Sequence, residues 1–403
     1  MKKALPVLTA ALIAVIFSIY LVLSPVSVPR AVKSVIFPQA SPEASAKPEP
    51  TAEELARGLL SGMTAEQKAW QLLYVFPQDI TGDSLSADEA LWSEKYALRP
   101  AGGVILNGSN MDTPEQVKAL TSAIASSSGI SPFIGVDEEG GAVARLAYTL
   151  GVTTDLKPMF TYRSEGEDGA RANALTIGSD IKSFGFNQDF APVADVWTNK
   201  DNTVIGKRAY SDDPDEAAKL VAAAVGGFTD AGVISTLKHF PGHGDTSEDS
   251  HYSAAHSEKT ESELFSCELK PFYAGIEAGA GMVMTGHITM DAIDPDTPAT
   301  LSRAVVTGIL RDKLGFDGVV ITDSFTMQAI SDRCTQAEAA VMAIEAGCDM
   351  ILGTSEPDAV AEAIAEGVSP ERLDESVMRV LLLKLSFGLA EAPSPDPDAG
   401  QGG

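Results

Sequence analysis

The chain has 403 residues, 44% hydrophobic, 21% charged and 6% aromatic, a composition with material for one large core. Lys and Arg number 29 against 56 Asp and Glu, a formal charge of -27, so the basic footprint of a nucleic-acid binder is absent and nucleic acid is excluded as a partner. Cys267, Cys334 and Cys348 form no CxxC pair and no metal-ligand spacing, and read as small buried apolar residues.

Lys2 and Lys3 precede an uncharged run from Ala4 to Leu23, long enough as a helix to cross a hydrocarbon core. No small-x-small cleavage site follows directly, so residues 1–30 read as a membrane anchor in preference to a cleaved signal, with the rest of the chain outside the cytoplasm. Residues 31–51 are a Pro/Ala/Ser/Glu-rich linker that cannot bury an apolar face. Residues 52–390 form the folded domain, and 391–403, rich in Pro, Gly and Asp, a disordered tail.

Within the domain, short apolar runs alternate with helical periodicity. The runs are 72–76, 103–106, 133–136, 189–193, 233–237, 281–284, 318–321 and 349–352. Between them lie helix starts such as Thr64 before AEQKAW, Thr113-Pro114, Pro214 and Ser369-Pro370. Repeated βα units of this number predict an α/β fold, a closed (β/α)8 TIM-like barrel with one catalytic domain.

In such a barrel the chemistry sits where strands end. Asp137 follows the third run, Asp195 the fourth, Lys238-His239 the fifth, His287 the sixth and Asp323 the seventh. A single strand-end Asp or His is commonly a cap or a loop tie. Five on one rim point to a ligand, because several buried charges are costly unless they pair or act. The loop after the fifth run, KHFPGHGDTSEDSH (Lys238 to His251), is the most informative segment. Asp249 lies two residues before His251, close enough for a bend to join carboxylate and imidazole and raise the ring's basicity. Its histidines also admit a metal centre. Against that, His239 and His243 flank a Pro-Gly turn and no HxH ends the first strand run, so no metal and no cofactor is expected.

KHFPGHGDTSEDSH closely resembles the signature of β-N-acetylhexosaminidases of glycoside hydrolase family 3, which remove terminal N-acetylglucosamine (GlcNAc) from peptidoglycan fragments and related glycans. MTAEQKAWQLL, GVDEEGGAVARL, NQDFAPVADV, IGKRAYSDDP, MTGHI and GFDGVVITDSFTM follow that family's order, over roughly Thr51 to Leu389. The resemblance implies that Asp323 is the nucleophile, His251 the acid/base and Asp249 its orienting partner. It places Asp137, Arg145, Arg208, Lys238 and His239 on the terminal sugar. Ala142 stands where many members carry arginine, and TDS replaces TDD or DDL after the seventh run.

The implied chemistry is retaining: a carboxylate forms a glycosyl-enzyme, and a second group protonates the leaving oxygen and then activates water. Imidazole can carry that proton near neutrality. Because it is neutral once deprotonated, it does not repel an anionic acceptor, so a β-N-acetylglucosaminide phosphorylase stays open as an alternative, as does a non-catalytic sugar-binding descendant. The expected partner is a GlcNAc-containing glycan or muropeptide, with membrane contact through the N-terminal segment only.

Overall fold

The computed structural model describes residues 50–152, 157–246 and 255–390. The expected anchor, most of the linker and the tail lie outside the described residues, as do Asp249 and His251. Among the described residues no helix is long and apolar enough to cross a membrane.

Thirteen strands are present among the described residues: β1 (Leu73–Val75), β2 (Gly103–Ile105), β3 (Phe133–Val136), β4 (Glu138–Gly140), β5 (Val143–Ala144), β6 (Gln188–Asp189), β7 (Ile234–Phe240), β8 (Ala255–Ser257), β9 (Met282–Thr285), β10 (Ile288–Met290), β11 (Asp294–Pro298), β12 (Val319–Thr322) and β13 (Ile351–Leu352). Eight of them, one overlapping each predicted run, form a sheet ordered β12-β9-β7-β6-β3-β2-β1-β13. All neighbours pair in parallel. A parallel bridge between Ile321 and Met350 joins the two ends, so the sheet closes into the expected (β/α)8 barrel. The other five strands are additions that the apolar runs did not signal. β4 and β5 form a hairpin, and β8, β10 and β11 a three-stranded sheet.

The helices start where the sequence provides caps. Thr64 and Gln67 form a capping box for Ala65–Gln71. Thr113, Asp213 and Ser369 cap Pro114–Ala125, Pro214–Ala231 and Pro370–Ser386, each with proline at its first position. Thr51, at the end of the expected linker, is itself a cap, boxed with Glu54 on the helix Ala52–Ser61.

Side chains fill the barrel. The Tyr74 hydroxyl donates to Gln188 Oε1 at 2.8 Å, and Gln188 Nε2 donates to the Thr236 hydroxyl at 2.6 Å. This layer needs Gly135, because a Cβ there would lie 2.2 Å from both the Tyr74 hydroxyl and Gln188 Oε1. At the N-terminal end of the strands, buried Asp349 accepts from Arg311 Nη2 (2.5 Å), the Ser376 hydroxyl (2.8 Å) and the Val320 N–H (2.9 Å), with Arg379 at 3.2 Å. This cluster ties the last two βα units together. Of the cysteines, only Cys348 is buried; Cys267 and Cys334 are partly exposed, and all three are free thiols.

Candidate active site

At the carboxyl ends of the barrel strands lies a cleft of about 760 Å³. Asp137, Arg145, Arg208, Lys238, His239 and Asp323, six of the eight residues singled out from the sequence, line it together. Asp249 and His251 belong to the loop segment outside the described residues.

Lys238, in β7, is 2% exposed, and a lysine so buried needs compensating charge. Its Nζ lies 2.7 Å from Asp137 Oδ1 and 2.6 Å from Glu139 Oε1. Burial pulls the ammonium down, but Asp137 and Glu139 outweigh it and hold its pKa above the ordinary lysine value. Glu139 also receives a fork from Arg208, Nε to Oε2 at 2.8 Å and Nη2 to Oε1 at 2.7 Å. Burial alone would push the Glu139 carboxyl up; Arg208 and Lys238 reverse this and keep it far below the usual carboxylate range.

Arg145 opens the helix Arg145–Leu150, whose first turn is capped at a distance: Glu138 Oε2 accepts from the Leu146 N–H (2.8 Å) and Oε1 from the Ala147 N–H (3.0 Å). The acidic run after β3 therefore divides its work. Asp137 and Glu139 serve the lysine, and Glu138 anchors the helix that presents Arg145.

His239 is oriented by Asp195. The Asp195 carboxylate accepts from His239 Nδ1 at 2.7 Å, from the His239 N–H at 3.2 Å and from the His243 N–H at 2.7 Å. The bond to a carboxylate places a proton on Nδ1. Asp195 is buried, yet His239 and His243 keep its pKa below the ordinary value. The turn presses on its neighbours: a Cβ at Gly244 would lie 1.9 Å from the Val196 carbonyl, and Asn202 Nδ2 donates to the His243 carbonyl at 2.7 Å.

Asp323 follows β12 and is half-buried. Its Oδ1 accepts from the Ser324 N–H at 2.7 Å. Burial raises its pKa, but His239, His287, the Ser324 N–H and Lys238 together bring it below the ordinary aspartate value, so it is a carboxylate at neutral pH. His287, fully buried beyond β9, donates from Nε2 to the Ser324 carbonyl at 3.1 Å, while its Nδ1 meets the Thr300 hydroxyl at 2.9 Å. The Ser324 residue is thus held on one side by His287 and on the other holds the Asp323 carboxylate. The TDS departure leaves this contact intact, because the backbone makes it. Ala142, the other departure, is exposed and lines the cleft.

Asp195 and His287, expected with the other strand-end residues to face a ligand, do not line the cleft but hold His239 and Ser324 in place, and Glu139 was given no role at all. Asp195 and His287 carried a signal as strand-end polar residues. Glu139 carried only the acidic run DEEGG, in which nothing separates a sugar contact from a helix cap. Among the described residues, no group of three or more His, Cys, Asp or Glu side chains is arranged to hold a metal ion. The arrangement offers one carboxylate held ionised and a rigid set of donors and acceptors around it, as cleavage of a polar glycoside requires.

The Glycosyl hydrolase family 3 N terminal domain matches residues 64–383. The chain belongs to glycosyl hydrolase family 3. It is 37% identical over 279 residues to β-hexosaminidase A of Pseudoalteromonas piscicida, a match covering 64% of this chain and 47% of that protein. A β-hexosaminidase of Xanthomonas oryzae pv. oryzae is 34% identical over 313 residues, 77% of this chain and 91% of that protein. Among solved structures, the family 3 β-N-acetylglucosaminidase from Paenibacillus sp. FPU-7 superposes with a TM-score of 0.76 at 36% identity, covering 84% of this chain and 65% of that one. This chain thus spans about half of the first relative and about two thirds of the Paenibacillus protein. Its family 3 barrel carries the cleft described above.

Proposed function

We propose that this chain is an exo-acting, retaining β-N-acetylhexosaminidase that removes terminal non-reducing β-linked GlcNAc. The observation that carries the reading is Asp323, kept ionised within a cleft that also gathers Asp137, Arg145, Arg208, Lys238 and His239. The β-hexosaminidase relatives supply the sugar.

In this reading Asp323 attacks the anomeric carbon while His251, supported by Asp249, gives its proton to the leaving oxygen. The glycosidic C–O bond breaks as the ester to Asp323 forms. Water then attacks the same carbon, His251 takes its proton, and the Asp323 carboxylate is released. Asp137 and Glu139 fix the Lys238 ammonium, which with Arg145, Arg208 and His239 offers donors to sugar hydroxyls; Asp137 offers the acceptor.

Peptidoglycan fragments are the substrates this reading favours. Arg145 and Lys207 both line the cleft, both are exposed, and neither has an ion-pair partner among the described residues. In a chain of charge -27, a cleft that holds Lys207 uncompensated beside the sugar-binding Arg145 suits an aglycone that carries carboxylates. Location outside the cytoplasm, anchored through residues 1–30, belongs to the same proposal and rests on the uncharged run from Ala4 to Leu23.

The test is the full chain with an aryl β-GlcNAc, with and without phosphate, beside Asp323→Ala. Free GlcNAc in both buffers and loss of nearly all turnover in the variant are expected. Sugar 1-phosphate as the main product would overturn hydrolysis, and an active Asp323→Ala enzyme would overturn the nucleophile.

A further inference from the structure

Beside the cleft, across Arg145, lies a second hollow of about 400 Å³, lined by Asn107, Gly108, Ala144, Arg145, Tyr148 and Thr149. Asn107 and Arg145 belong to both. Tyr148 is 62% exposed, the most exposed aromatic side chain among the described residues. A single exposed aromatic is ordinary on a protein surface. This one is fixed. Its hydroxyl donates to the Gly141 carbonyl at 2.5 Å, at the turn between β4 and β5, so the ring is held on the rim that also provides Glu139 and Val143 to the cleft.

The junction between the two hollows carries donors that no described residue accepts. Asn107 Oδ1 accepts from the Ser109 N–H at 2.9 Å and from the Ser109 hydroxyl at 2.6 Å. Because a backbone N–H needs an acceptor, this settles which amide atom is oxygen and leaves Nδ2 as the donor. Neither Asn107 Nδ2 nor the Arg145 guanidinium donates to any described residue. A rigid aromatic face preceded by two such donors is a surface for a ring that is apolar on its faces and polar at its edge. That is the chemistry of a pyranose.

We propose that Tyr148 and Asn107, with those Arg145 N–H groups that the terminal sugar leaves over, form a second sugar subsite, which takes the pyranose adjoining the one being cleaved, stacked on the Tyr148 ring. The proposal rests on the glycosidase reading above, since it fixes which sugar lies in the main cleft. Tyr148 touches no reacting atom, so its role is to select oligosaccharides over glycosides with small leaving groups.

The test compares the β-1,4-linked GlcNAc dimer with methyl β-N-acetylglucosaminide. Both have alkoxide leaving groups that need protonation, but only the dimer has a second ring. Tyr148→Ala is expected to lower kcat/KM for the dimer about tenfold, as the loss of one good stacking contact implies, and to change the methyl glycoside less than about twofold. Tyr148→Phe keeps the ring but loses the bond to Gly141, and is expected to fall between the parent and the Ala variant on the dimer and to stay within about twofold of the parent on the methyl glycoside. Equal losses on the two substrates would make Tyr148 a prop for the Gly141 turn and overturn the subsite. So would a Phe variant as poor on the dimer as the Ala variant, or an Ala variant unchanged on it. If the parent enzyme cleaves neither substrate, the glycosidase reading fails on its own, and calorimetric binding of the dimer to parent and Tyr148→Ala protein still decides the subsite: tenfold weaker binding by the variant supports it, and equal binding overturns it.

Discussion

Lys384 offers a measurable separation of stability from chemistry. It lies in the helix Pro370–Ser386, is 0% exposed, and its Nζ donates to Gln71 Oε1 at 2.9 Å and sits 5.2 Å from the centre of the Phe133 ring. Burial lowers its pKa from 10.5 to about 7. At about 1.36 kcal/mol per pH unit, keeping this lysine charged in the folded state costs about 5 kcal/mol. Lys384→Met keeps the length and removes the charge, but leaves Gln71 Oε1 without its donor, at about 1–3 kcal/mol. The expected net gain below pH 7 is therefore about 2–4 kcal/mol. Its pH dependence is the sharper prediction. Between pH 7 and 10.5 the unfolded chain holds this proton and the folded chain does not, so raising pH favours the folded parent protein. The gain from the substitution shrinks by about 1.4 kcal/mol per pH unit, which removes about 3 kcal/mol of it by pH 9. Other groups cancel in the difference between variant and parent. Urea unfolding of both proteins at pH 6, 7, 8 and 9 measures it, with turnover followed in parallel. A stability difference that is flat from pH 6 to 9 would refute the reasoning. Turnover at pH 7 is expected to be unchanged, because Lys384 touches nothing in the cleft.

His251→Ala is expected to slow glycosides with poor leaving groups far more than activated aryl glycosides, which need little protonation; equal losses in single-turnover rates would count against the acid role. Glu139→Gln removes the shared anion of Arg208 and Lys238, and is expected to lower unfolding stability by about 3 kcal/mol and raise KM for the aryl glycoside, read from urea melts and steady-state kinetics. Lys207→Glu is expected to raise KM for a muramic-acid-containing disaccharide about tenfold and to leave the neutral GlcNAc dimer within about twofold; a matched change on both would remove the acidic-aglycone reading.

The barrel was legible in the sequence because each of its eight strands is an apolar run between turn residues, and helices announce themselves by caps such as Thr64 and Ser369. The hairpin Glu138–Ala144 and the strands around Ile288 were not, since their residues are polar, short or follow a barrel strand without a break. At the site, the residues that end strands could be read individually: Asp137, Lys238 and Asp323 all line the cleft. Their pairings could not. That Lys238 is shared by Asp137 and Glu139, and that Asp195 gathers His239 and His243, depends on contacts between residues 44 to 101 positions apart. Periodicity carries no such information. Tyr148 gave no signal either, because a tyrosine on a short helix reads the same whether its ring faces a core or a groove.

The two buried acidic centres of this barrel show what separates a site from a structural knot. Asp349 and Glu139 are both buried carboxylates held below their ordinary pKa by arginine or lysine. Around Asp349, Arg311 also donates to the Phe316 and Gly318 carbonyls, Arg372 to the Ile344 and Cys348 carbonyls, and Arg379 to Glu375. Their donors are spent on protein acceptors. Around Glu139, by contrast, Lys238, Arg208 and Asp137 all line the cleft, with Arg145 and Lys207 beside them lacking any ion-pair partner among the described residues. Perturbed ionisation is common to both ends and so cannot identify the function. Hydrogen-bonding capacity left over and facing a cavity can, and on that criterion the carboxyl end of the strands is the end the proposed glycosidase would use.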